Sequence, residues 1–137
     1  MKSVDVIGVQ MDFGAATRGV NMGPAAIRYA GLIDGIEKLG YEVKDKGDLI
    51  PPKEGRSAEN MRSYEQVNNI NAQLYKEVKD TLENGRFPII LGGDHSIAAG
   101  SISATAKVPV TMAETIAAAE ITPAATTAAA AATRITA

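Results

Sequence analysis

Apolar and β-branched residues run together over Ser3–Gln10 (SVDVIGVQ), the make-up of a buried strand, and the glycine-punctuated MDFGAATRGVNMG that follows cannot continue it. Pro24, directly after Gly23, suits the first turn of a helix, where its missing N–H costs nothing. Tyr29, Leu32, Ile36 and Leu39 then recur three or four residues apart, predicting one helix that stops at Gly40. A short second strand, Tyr41–Asp45, leads into KGDLIPPKEGRS, whose Pro, Gly and charge content predicts an exposed loop over 46–57. The clearest period lies in Val67, Ile70, Leu74, Val78 and Leu82, with Gln66, Gln73, Lys76, Lys79 and Asp80 on the other face and Gly85 as the stop. Phe87–Leu91 (FPIIL) is apolar throughout and of strand length, suited to the middle of a parallel sheet. After GGDHS, Ile97–Lys107 is again helical in pattern. Strands alternating with helices predict an α/β protein: a mainly parallel sheet between two helical layers.

Composition divides the chain. All six aromatic residues (Phe13, Tyr29, Tyr41, Tyr64, Tyr75, Phe87) and all 13 glycines lie at or before Gly100. Ala and Thr make up most of Val108–Ala137, which has no Gly, aromatic, Asp or Lys. We therefore expect one α/β unit over residues 1–107 and an Ala/Thr-rich tail over 108–137, whose small side chains bury too little to complete a core. The net charge of −2 argues against nucleic acid and anionic lipid as partners, since both are bound by clustered Lys and Arg. Without cysteine there are no disulfides, thiolate zinc sites or cysteine nucleophiles. The N-terminal apolar stretch is interrupted by Asp5 and followed by Asp12, unlike a signal peptide or membrane span, so a cytoplasmic location is expected.

Open parallel sheets bind ligands beyond the carboxyl ends of their strands. Gly92-Gly93-Asp94-His95-Ser96 occupies that place after FPIIL, with two glycines for a sharp turn and Ser96 as a cap for the next helix. The His95 imidazole can ligate Mn, Zn, Ni or Co, and the neighbouring Asp94 carboxylate can orient it. Equally, a single histidine can be a hydrogen-bonded structural residue and Asp94 a plain turn residue. A phosphate cradle at the helix start is the weaker alternative, since neither a P-loop nor a GxGxxG is present. Asp12–Gly23 follows the first strand at the same edge. There Arg18 and Asn21 can contact a ligand, although Arg18 and Arg28 read more simply as ion-pair partners tying the loop to the sheet. Glu65, Asp80 and Glu83 read as the solvated face of the long helix.

Three stretches, Met11–Leu32 (MDFGAATRGVNMGPAAIRYAGL), Asp45–Leu49 (DKGDL) and Gly85–Ser101 (GRFPIILGGDHSIAAGS), closely resemble the N-terminal part of bacterial arginases, in the same order and at about the same spacing. GGDHS after an apolar strand is a ureohydrolase signature, and RGVNMGPAAIRYAGL favours arginase over agmatinase and formiminoglutamase. The resemblance implies a three-layer α/β/α fold with a dinuclear manganese site at the carboxyl edge of the sheet. In that family, a hydroxide bridging two manganese ions attacks the guanidinium carbon of L-arginine, giving L-ornithine and urea, the metals having made the water acidic enough to serve as nucleophile. It further implies His95 as a metal ligand, Asp94 as a support for it, and a homo-oligomer, trimer or hexamer. No catalytic acid, base or substrate-holding residue has a matching position. The family's DAHxD and DxDxxDP segments, which carry five further ligands, do not occur here, so one imidazole should hold Mn(II) weakly. The expected function is therefore arginine hydrolysis by the complete family protein. The alternatives are a catalytically dead fragment acting through protein–protein contacts at its open sheet edge, and another ureohydrolase such as agmatinase.

Overall fold

A computed structural model describes residues 3–15, 19–52 and 60–108, the side chains of residues 60–63 excepted. The elements run β1 (Ser3–Val9), α1 (Gly23–Tyr29), α2 (Leu32–Lys38), β2 (Glu42–Leu49), α3 (Asn60–Glu83), β3 (Phe87–Leu91) and α4 (Ala98–Lys107). The three strands form a parallel sheet in the order β2-β1-β3. The Ala/Thr-rich tail beyond Val108 and Arg18 lie outside the described residues.

The pleat of β1 sorts its side chains between two cores. Val4 and Val6 join Leu91 against Leu32, Ile33 and Ile36 of α2. Ile7 and Val9 pack with Met11 against Ile70, Leu74 and Val78 of α3 and Ala104 of α4. The sheet thus lies between helical layers, as the alternation of elements predicts. The five periodic residues of α3 all reach this second core, three of them fully buried. Asp5, in the middle of β1, is 2% exposed; its carboxylate accepts hydrogen bonds from Arg86 and, at 2.9 Å, from the buried Thr81 hydroxyl.

Two expectations are corrected. The helix predicted through Tyr29 and Leu39 is broken at Ala30–Gly31, where Gly31 takes φ +91°, a value glycine accommodates without strain. The break shifts the helical phase: Leu32 and Ile36 pack, whereas Tyr29 and Leu39 are 96% and 75% exposed. Residues Lys46–Leu49, expected in a loop, continue β2 through a bulge. Opposite the single residue Ile7, between the Val6–Asp45 and Gly8–Asp48 pairs, β2 has two residues, Lys46 and Gly47, with Gly47 at φ +79°.

The extra residue puts Asp45 and Asp48 on one face, where both grip Arg28 of α1: Nε to Asp45 Oδ2 at 2.7 Å and Nη1 to Asp48 Oδ1 at 2.5 Å. Gly8 makes this possible, because a Cβ there would overlap the Asp48 carboxylate. The hydrogen bond from Arg28 holds the Asp45 carboxyl below its ordinary range against the opposing effect of burial, and Asp45 in turn raises Arg28. Arg28 is thus the ion-pair tie expected of it. Lys46 points to the other face, to Glu77 at 2.7 Å and Asp80 at 3.0 Å of α3. Burial lowers the Lys46 pKa, but the two carboxylates together outweigh it and the net shift is upward. Asp80, read as a solvated residue, is exposed yet ties α3 to β2, while Glu65 and Glu83 are exposed on α3 as expected.

Candidate functional site

The carboxyl ends of β1 and β3 run into two loops that touch backbone to backbone. A Cβ on Gly93 would lie 2.1 Å from the Met11 carbonyl oxygen and 2.7 Å from that of Val20; one on Gly23 would lie 2.7 Å from the Gly92 carbonyl oxygen. Neither Gly92 nor Gly93 has positive φ. Gly93 therefore serves close approach between the two loops, and Gly92 leaves room for the Ile97 side chain of its own turn, rather than the special turn conformation expected from sequence.

Asp94 fastens the two loops together. Its Oδ2 accepts the Gly14 N–H at 2.9 Å, across from the loop after β1, and its Oδ1 accepts the Ser96 N–H at 2.8 Å together with the Ser96 hydroxyl. The cap of the short 3-10 turn His95–Ile97 that leads into α4 is thus Asp94, not Ser96 as expected. Asn71 of α3 adds a brace, donating to the Ser96 carbonyl at 2.9 Å and accepting from the Gly100 N–H at 2.7 Å. His95, on this pinned turn, is exposed; its carbonyl accepts the Ala98 N–H, and its side chain has no hydrogen-bond or ion-pair partner among the described residues. Its ring nitrogens are available to an added ligand, and the residues on either side of it are tied to Gly14 and to Asn71 of α3.

A metal site must be judged on its donors. Both Asp94 oxygens are engaged by donors, and among the described residues no group of three His, Asp or Glu converges in a way that could hold a metal. A hard divalent cation seeks about six oxygen or nitrogen donors. The residues present therefore do not by themselves fit a two-manganese centre; they supply one free imidazole on a rigid turn.

The other candidate loop places Asn21 in a cleft at the ends of β1 and β2, with Gln10, Asp12, Phe13, Ile50, Pro51 and Pro52. The sequence places Asp12 and Asn21 in this candidate loop and singles out Asn21, whereas Gln10 reads as the end of the strand. The position of Asp12 at a strand's carboxyl end was the available signal. No described helix is long and apolar enough to cross a membrane.

The model of the arginase family matches residues 2–116. An arginase of Staphylococcus aureus strain COL is 46% identical over 111 residues, covering 77% of this chain and 37% of that protein. One from Brevibacillus brevis is 45% identical over 108 residues, with 77% and 36% covered. Among solved structures, the native arginase of Bacillus caldovelox superposes with TM-score 0.69 at 43% identity, over 78% of this chain and 37% of that one. The Bacillus subtilis arginase gives 0.67 at 45% identity, over 77% and 34%. This chain spans little more than a third of the length of these relatives. The match over most of the chain, with the parallel sheet and the GGDHS turn at its carboxyl edge, places the chain in the arginase family.

Proposed function

We propose that this chain is the N-terminal part of an arginase, and that the complete enzyme hydrolyses L-arginine to L-ornithine and urea with two manganese ions, in the cytoplasm and as a homo-oligomer. The observation that carries the proposal is the pinned turn: within a family-matched fold, Asp94 spends both oxygens on holding the loops after β1 and β3 together, leaving His95 exposed and unpartnered. A ligand histidine must be aimed by its surroundings while its own nitrogen stays free. Asp94 fills the aiming role through the backbone rather than by touching the ring. His95 is one donor of the set, and the remaining donors belong to parts of the family's length that this chain does not span.

A second reading has its own observation: with a single imidazole and no converging donor group among the described residues, the 137-residue chain is catalytically inert and acts through the open edge of β3. One pair of measurements separates the two. The source organism's protein is purified, its intact mass taken, and urea release measured with L-arginine and with agmatine after loading with manganese. A mass well above 14.3 kDa with manganese-dependent urea release from L-arginine supports the arginase reading. Release from agmatine alone reassigns the substrate, and a mass of 14.3 kDa with no urea leaves the inert chain.

A further inference from the structure

The sequence contains one Asn-Gly pair, Asn84-Gly85, and it stands at the exit of α3. Both residues are exposed, and a Cβ on Gly85, which takes φ +67°, would meet nothing within 4 Å. Glycine lets the chain adopt the left-handed conformation that ends this helix. It also brings no side chain to keep its main-chain nitrogen away from the Asn84 carboxamide.

That nitrogen is the nucleophile of an intramolecular reaction of asparagine. Deprotonated, it attacks Asn84 Cγ: the N–Cγ bond forms, the Cγ–Nδ2 bond breaks, and ammonia leaves with the proton taken from the Gly85 nitrogen, closing a succinimide ring. Water reopens the ring. Attack at Cγ gives aspartate, whereas attack at the Asn84 main-chain carbonyl carbon gives isoaspartate, in which the chain runs through Cβ and Cγ and is one carbon longer.

The folded exit holds both reacting groups. The Gly85 N–H donates to the Leu82 carbonyl at 3.0 Å and the Arg86 N–H to that of Thr81 at 3.0 Å, the crossed pair that closes a helix end. The Asn84 carboxamide donates to the Asp80 carbonyl at 2.8 Å and to Asp80 Oδ1 at 3.3 Å. Reaction therefore waits on opening of this exit, a local event that at an exposed helix end costs far less than global unfolding. The next residue gives the product its effect. Arg86 donates to the buried Asp5 of β1, to Glu42 of β2 at 2.8 Å and to the Val4 carbonyl at 3.1 Å, linking β1 and β2 to the start of β3.

We propose that Asn84 is a site of spontaneous deamidation gated by the α3 exit, and that its isoaspartyl product withdraws Arg86 from Asp5. The inserted main-chain carbon lengthens the rings closed by the crossed hydrogen bonds and displaces Arg86, while Asp5 stays buried and loses its cation. Both products also put a carboxylate at the negative end of α3, beside that of Asp80. The site precedes β3, at the opposite end of that strand from His95.

The test incubates the protein as isolated in warm, mildly alkaline buffer beside a free peptide of residues 80–86, which is too short to hold a helix. Tryptic fragments ending at Arg86 are then analysed by mass spectrometry for a gain of about 1 Da and for isoaspartate. Isoaspartate should accumulate at Asn84, at least about tenfold more slowly than in the peptide, and not in Asn84→Gln, whose longer side chain closes the ring poorly. The isoaspartyl protein, separated by ion exchange, should show a displaced Arg86 Nε–H NMR signal. It should also unfold at a lower urea midpoint than fresh Asn84→Asp, which carries the new charge on an ordinary main chain. No conversion in the protein, conversion as fast as in the peptide, or an isoaspartyl protein that matches Asn84→Asp in midpoint and Arg86 signal would each overturn the proposal.

Discussion

Replacing Thr81 by Val removes one oxygen from the interior and almost no volume, so its effect isolates a single hydrogen bond. Thr81 is fully buried on α3, and its hydroxyl donates at 2.9 Å to Oδ2 of Asp5, itself 2% exposed in β1. The bond ends on a charged, desolvated acceptor, the class of hydrogen bond worth about 1.5–3 kcal/mol. Arg86 still holds the other carboxylate oxygen, so Asp5 is not stranded, and we expect a loss of about 2 kcal/mol. For a domain of this size that is roughly 8–16 °C in Tm. Urea unfolding followed by circular dichroism measures it, with a second measurement in an Asp5→Val background. There the acceptor is gone, and Thr81→Val should cost less than about 0.5 kcal/mol. Equal losses in both backgrounds would show that the effect arises from α3 itself, and a loss below about 0.5 kcal/mol in the parent protein would refute the assignment of Thr81 as a buried donor.

Other outcomes follow from the same geometry. Gly93→Ala should destabilise by about 3 kcal/mol, since its Cβ would collide with two carbonyl oxygens, whereas Gly35→Ala, on α2 with open space at its Cβ, should stabilise by roughly 0.5–1 kcal/mol; thermal melts of both variants check the contrast. Asp45 has its folded pKa below the ordinary 3.8 because Arg28 favours the carboxylate, so its contribution to stability is present above that value and is lost as pH falls through the lower, folded one. The urea midpoint of Asp45→Asn should therefore lie below that of the parent at neutral pH and converge with it in acid; a gap that persists in acid would show that the pairing has no electrostatic part. Asp94→Ala, which unties the loops after β1 and β3, should cost about 1–2 kcal/mol, while His95→Asn should stay within about 0.5 kcal/mol of the parent, both read by urea unfolding.

Much of the fold was legible because it follows from local period. Val67 to Leu82 recur at helical spacing and reach the core, and FPIIL forms a strand, although at the edge of the described sheet, with Phe87 62% exposed and only Leu91 buried, rather than in its middle. What escaped was set by partners distant in the chain. Lys46–Leu49 look like a loop because they are polar and contain Gly47, yet Arg28, Glu77 and Asp80 satisfy their charges and keep them in the sheet. Tyr29 and Leu39 kept the helical spacing, but a positive φ at Gly31 broke the phase that spacing assumes. At the candidate site, GGDHS gave the location and the free imidazole. It did not give the roles of its members: Gly93 permits close approach to Met11 and Val20, and Asp94 binds the loop after β1, contacts made between the ends of two strands.

The central proposal is that His95, its side chain free on a turn pinned by Asp94, serves as a metal ligand in the complete enzyme. Urea release from L-arginine by the manganese-loaded source protein and by its His95→Asn variant tests this most directly, the two being matched for urea unfolding midpoint. The account predicts an active parent and a loss of at least about 100-fold in the variant at unchanged stability. A variant that releases urea at the parent's rate would contradict it.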